Sequence, residues 1–207
     1  MRKIRGFRLN LRVKDIQRRA RKARVDLGAL GLGAEPALEA WLRQVSATAR
    51  PAVLYDSFPA DAGRAPARRG ASEEAAGASA VSLSPMPGLA YSLALATLGP
   101  DLDAFADRLA QERPAAAPLF ALAAAAAIEE SVRFVLALVE TEATEERCSL
   151  SPIQYFEGRE QFEAVLAKLE GHKIGVALAE SGLRPSRSTA FSTSWLARSK
   201  SRAKSSA

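Results

Sequence analysis

The sequence predicts an α+β domain built on an antiparallel sheet, and three observations carry that expectation. Leu38, Trp41, Leu42 and Val45 recur at helical spacing, as do Phe120, Ile128, Val132, Val135, Leu136 and Val139. The runs 52–58 and 89–98 are short, apolar and stopped by Pro59 and by Gly99-Pro100. Near the C-terminus Thr189, Phe191 and Thr193 alternate as in a strand. Strands mixed with helices rather than regularly alternating with them fit an α+β layer arrangement.

The elements follow in order. Arg12 to Arg24 reads as a basic surface helix with Val13, Ile16 and Val25 as its few apolar positions. Glu35-Pro36 opens a second helix, since Pro suits the first turn. After the 52–58 strand, residues 60–80 are rich in Ala, Gly, Arg and Ser, lack periodicity and read as a flexible loop. Asp101 is expected to cap a helix carrying Leu102, Phe105, Ala106 and Leu109. A long helix spans 117–142, and a loop with Pro152 covers 142–158. Phe162, Val165, Leu166 and Leu169 then mark a helix ended by Gly171. Two closing strands are expected, one over Ile174, Val176 and Leu178, the other over 186–195.

The 207 residues form one domain: a basic segment 1–25 that belongs to it or leads into it, a body 26–197, and a disordered basic tail 198–207. Charge is segregated. Residues 1–25 carry a net +10, residues 198–207 +4, and the stretch between them −8. The high isoelectric point therefore belongs to the ends, which makes nucleic-acid binding the weaker reading of the chain. Cys148 and His172 are single, which excludes an internal disulfide and a Cys/His zinc cluster. No apolar signal region follows the basic start, which predicts a cytoplasmic protein. The alanine-rich run 114–128 is too short to cross a membrane. Gly28, Gly31 and Gly33 follow a polar helix rather than a strand, so no phosphate-loop fingerprint is met.

Two groups of residues have ligand-binding chemistry. Glu129-Glu130 interrupts an apolar helix, where at least one carboxylate must lean toward the domain and needs a partner, unless the pair marks a surface exit. The loop from Arg147 through Ser149, Ser151 and Pro152 to Tyr155 offers a fixed cation, hydroxyls and a ring, a set suited to a carboxylate and a flat group.

Several stretches resemble the activation (reactivation) domain of cobalamin-dependent methionine synthase in its stand-alone form. Thr97-Leu98-Gly99-Pro100-Asp101-Leu102 is similar to a family strand that ends before a helix, and Ala127-Ile128-Glu129-Glu130 to its central helix with an embedded acid. Ile174-Gly175-Val176-Ala177-Leu178-Ala179-Glu180-Ser181, Pro185 and Ser186-Arg187-Ser188 resemble the family's C-terminal signature, and Tyr55-Asp56-Ser57-Phe58-Pro59 its first strand. The likeness covers roughly residues 5–195 and is strongest over 90–195. It implies a twisted antiparallel sheet with flanking helices and binding of S-adenosylmethionine. The implied role is methyl donation to a cobalamin-dependent methyltransferase during reductive reactivation. Cobalamin would come on a partner, either a corrinoid-binding protein or the methionine synthase core, because this chain has no corrinoid-binding motif of its own. On that reading Arg147 holds the ligand carboxylate, Tyr155 lines its ring, and Glu129 or Glu130 lies near the sulfonium. The place of the family's Gly-Tyr pair is taken here by Ser151-Pro152, counting from Arg147, or by Ile153-Gln154 if Ser151-Pro152 matches the family's Ser-Pro. The alternative reading is therefore a non-catalytic interaction module of the same fold that docks on a corrinoid protein.

Overall fold

The computed structural model describes residues 1–60 and 82–198. The flexible loop expected at 60–80 and the tail expected at 198–207 lie almost wholly outside them. Among the described residues, eight strands and five α-helices follow one another along the chain. They are β1 (Arg2–Arg5), α1 (Val13–Lys22), α2 (Glu35–Thr48), β2 (Ala52–Pro59), β3 (Ala90–Thr97), α3 (Pro100–Glu112) and α4 (Ala117–Glu145), then β4 (Cys148–Leu150), β5 (Gln154–Tyr155), α5 (Arg159–Leu169), β6 (Ala177–Ala179), β7 (Gly182–Arg184) and β8 (Ser188–Ala197). The fold is α+β, and every strand pairing among the described residues is antiparallel.

Six strands form the main sheet in the order β1-β2-β3-β8-β4, with β5 also on β8; β6 and β7 make a separate hairpin. The central strands β3 and β8 are sealed on both faces, which accounts for their nearly continuous burial. On one face Leu54, Leu93 and Leu95 meet Val165 and Leu169 of α5. On the other, Val53, Ala94, Ala96 and Phe191 meet Val132, Val135 and Val139 of α4. Small residues on β3 let the long helix lie close to the sheet. A third, helical core joins Ile16, Leu38, Trp41, Leu42, Leu102 and Leu119.

The structure departs from the expectations in several places. Helix α1 is not merely a surface element, because Ile16 and Ala20 are fully buried and the remaining charges line its outer side. Strand β1 was not legible, since Arg2-Lys3-Ile4-Arg5 has one apolar residue and sits at a sheet edge, where charge is common. Asp101 does not cap α3; Gly99 occupies that position with no side-chain cap, and Asp101 pairs instead with Arg50 at 3.4 Å. Helix α5 ends at Glu170 in the left-handed conformation, one residue before the predicted Gly171. The expected strand over Ile174 to Leu178 splits: Ile174 belongs to a 3-10 turn and only Ala177–Ala179 pairs, with β7 rather than the main sheet.

The connection between β7 and β8 is tied to the start of α3. Asp103 accepts the Ser186 backbone N–H at 2.6 Å, the Ser186 hydroxyl at 2.9 Å and Arg187 Nη1 at 2.8 Å. The Ser188 hydroxyl donates to Thr97 Oγ1 at 2.8 Å, and the Leu98 N–H donates to the Arg187 carbonyl at 3.0 Å. Thus 97–103 and 185–188, two segments distant in sequence, form one interlocked corner.

Candidate functional site

The proposed ligand residues divide into two places. Glu129 sits midway along α4, and Arg147 lies just past that helix's end, which separates them by about 25 Å at 1.5 Å per residue. Arg147 adopts a left-handed backbone (φ 59°), is exposed, and its carbonyl accepts the Arg198 N–H at the far end of β8. Tyr155 pairs with Phe191 on the same strand. That is six or more residues from Arg198, about 20 Å of extended chain. Arg147 therefore does not join Tyr155 and Glu129.

Those two do lie together on the α4 side of the sheet. The Tyr155 ring is 45 % exposed and tilts on Phe191 with ring centres 6.1 Å apart. Partial burial, with the Glu129 charge adding to it, holds the Tyr155 phenol above its ordinary value. The turn leading to it is firmly built. Ser151 is buried, its hydroxyl accepts the Ser194 N–H at 2.9 Å, and its carbonyl accepts the Thr193 hydroxyl at 2.9 Å. Short strands β4 and β5 flank this turn, where the sequence pattern showed only a loop.

Glu129 already has a partner. Arg19 of α1 grips it with Nη1 to Oε1 at 2.7 Å and Nη2 to Oε2 at 2.6 Å, and donates from Nε to Asp15 at 2.8 Å. The Arg19 hydrogen bonds hold the Glu129 carboxyl below its ordinary range, against the effect of burial. Glu130 is half-buried and pairs with Arg133 at 2.7 Å, one turn on. Arg19 is the residue sequence reasoning missed. Its spacing from Asp15 was readable, but its contact with Glu129 spans the whole helical layer.

These residues fit an S-adenosylmethionine site only in part. A ring platform and a rigid turn exist at Tyr155, but Arg147 is remote and the nearby guanidinium of Arg19 is taken up by two carboxylates. Ile153 and Gln154 put side chains where close backbone approach would want a glycine. His172 is exposed in the 3-10 turn after α5, and Cys148 is buried and free. Among the described residues no group of three or more His, Cys, Asp or Glu side chains is placed to hold a metal. Nor is any helix there long and apolar enough to cross a membrane. No protein-family model matches the chain, and no curated protein matches it significantly.

Proposed function

We propose that this chain is an accessory module of the reductive reactivation of a cobalamin-dependent methyltransferase such as methionine synthase, and that it works by docking on the corrinoid-binding partner. The observation that carries the reading is the interlock of Thr97-Leu98-Gly99-Pro100 with Pro185-Ser186-Arg187-Ser188 through Asp103, Thr97 and Ser188. Two stretches that resemble the activation domain thereby meet at a single corner. Docking is favoured over ligand presentation because Arg147 stands apart from Tyr155 and because Arg19 occupies Glu129.

A second reading keeps S-adenosylmethionine, and the exposed Tyr155 ring beside Glu129 is what favours it. A sulfonium would be drawn to that carboxylate and a flat base to that ring. Calorimetric titration with S-adenosylmethionine, together with co-sedimentation with a methionine synthase core, separates the two. Docking predicts association with the core and no saturable ligand binding by the free chain up to millimolar concentration. Saturable binding that is lost in Tyr155→Ala and kept in Arg147→Ala would establish the second reading. Neither association nor ligand binding would overturn both.

A further inference from the structure

A large cleft among the described residues lies away from Tyr155. It measures about 1020 Å³ and is walled by residues 5–11, the second half of α2 and its exit to Ala52, Gly99-Pro100, and Ile174-Gly175. Its volume is that of sites that take small organic molecules. Apolar side chains furnish part of the wall, namely Phe7, Leu9, Leu42 and Ile174.

The charged part of the wall is mainly positive. Arg5, Arg8, Arg43 and Arg50 come from separate chain segments and share the cleft with one carboxylate, Glu39. Arg5 is engaged by the Lys173 carbonyl, and Arg50 by the Ala47 carbonyl and Asp101. Arg8 and Arg43 are exposed and have no ion pair or hydrogen bond to any described residue. Gathering guanidinium groups around one cavity is self-repulsive in the empty protein and becomes favourable when an anion is shared between them. Arginine forks match phosphate oxygens two at a time. The amino end of α3 opens on the same cleft at Gly99-Pro100 without a side-chain cap, and its dipole adds to the positive potential.

We infer that this cleft binds an organic phosphate of nucleotide size, its phosphates between Arg8 and Arg43 and its flat body against the Phe7, Leu9 and Leu42 wall. The inference does not depend on the corrinoid reading, because it rests on the arginines and the apolar wall of this cleft alone.

The test is calorimetric titration of the full chain with ADP, inorganic pyrophosphate, adenosine and a short single-stranded oligonucleotide. ADP is expected to bind at least about tenfold more tightly than pyrophosphate or adenosine, since it fills both parts of the cleft. Arg8→Ala/Arg43→Ala should weaken ADP by at least about tenfold, two charge-assisted hydrogen-bonding groups being lost. The charge-matched variant Arg21→Ala/Lys22→Ala, on the exposed side of α1, should leave it within about twofold. Thermal melts of both variants check that the fold is kept, and Arg8→Lys/Arg43→Lys should recover part of the affinity. ADP binding no tighter than pyrophosphate, equal loss in both alanine variants, or a preference for the oligonucleotide would each overturn the proposal.

Discussion

Arg19 and Glu129 meet fork to fork across 110 residues of sequence, at 2.7 and 2.6 Å, while the Nε of the same arginine holds Asp15 at 2.8 Å. One guanidinium thus fastens the basic N-terminal helix to the long helix that covers the sheet. The basic segment 1–25 packs on the body through this contact, the burial of Ile16 and Ala20 and the pairing of β1 with β2.

Arg19→Ala should destabilise the protein by about 1 kcal/mol, a modest value because the Glu129 side chain is 46 % exposed and water screens the pair. The effect should depend on pH. The folded Glu129 carboxyl lies below its ordinary value of 4.5, so its contribution is complete above that value and disappears as pH falls through the lowered folded value. Urea unfolding of wild type and Arg19→Ala at neutral and at acid pH should show the difference narrowing in acid. A difference that grows in acid would rule out this account.

Tyr155 should ionise late. Burial and then the Glu129 charge raise its phenol above the ordinary 10.0, so Glu129→Gln should bring it down. Ultraviolet titration of tyrosinate, with Tyr155→Phe to identify the transition, measures both. An unchanged transition in Glu129→Gln would mean that the two groups do not sense each other.

The helical layer was legible because its signals are local. Leu38, Trp41, Leu42 and Val45 lie on one stripe of α2, and all four are buried. Strand β8 was legible as a strand because the preceding turn and its residues lie in one short segment, although its burial is continuous rather than alternating. What failed depended on partners remote in sequence. Arg2–Arg5 becomes a strand only because β2 offers it an edge, and β4 and β5 only because β8 does. Ile174 and Val176 carry a strand-like pattern, yet Gly175 (φ 73°) closes a 3-10 turn and interrupts it. In the candidate site, the nearness of Tyr155 to Glu129 and the remoteness of Arg147 both follow from where β8 passes, which no spacing within the loop reveals.

Asp103 should matter more to stability than its place on a half-exposed helix suggests. Burial alone would raise its carboxyl, but the Ser186 N–H, Arg187 and the Ser186 hydroxyl together hold it below the ordinary 3.8. Asp103→Ala leaves those donors without their acceptor and should cost about 2–3 kcal/mol, with Asp103→Asn costing less. The wild-type advantage is present above 3.8 and is lost as pH falls through the lowered folded value. Hydrogen exchange over residues 184–188 is the direct readout. Exchange there as slow in Asp103→Ala as in wild type would show that the corner is held by other contacts.

Gly99 tests the same corner from the backbone side. Its φ of 82° lies in the left-handed region, and an added Cβ would stand 2.8 Å from the Arg50 Cβ and 3.2 Å from the Arg50 carbonyl. Both objections act at once: the conformation disfavours a side chain, and the space is filled by backbone and a Cβ that cannot swing away. The position is also pinned, since the Gly99 N–H donates to Thr97 Oγ1 at 3.1 Å and the Arg50 N–H to the Leu98 carbonyl at 2.7 Å. Gly99→Ala should therefore cost about 1–3 kcal/mol from conformation alone, more with the clash, and lower the melting temperature by several degrees. Because Gly99 and Arg50 both line the large cleft, a folded Gly99→Ala protein should also show altered ADP affinity, whereas Asp103→Ala, whose side chain lies outside that wall, should change it less. A Gly99→Ala protein as stable as wild type would mean that the strand-to-helix corner relaxes freely, and the tight approach of α3 to the end of α2 would then be no constraint on the fold.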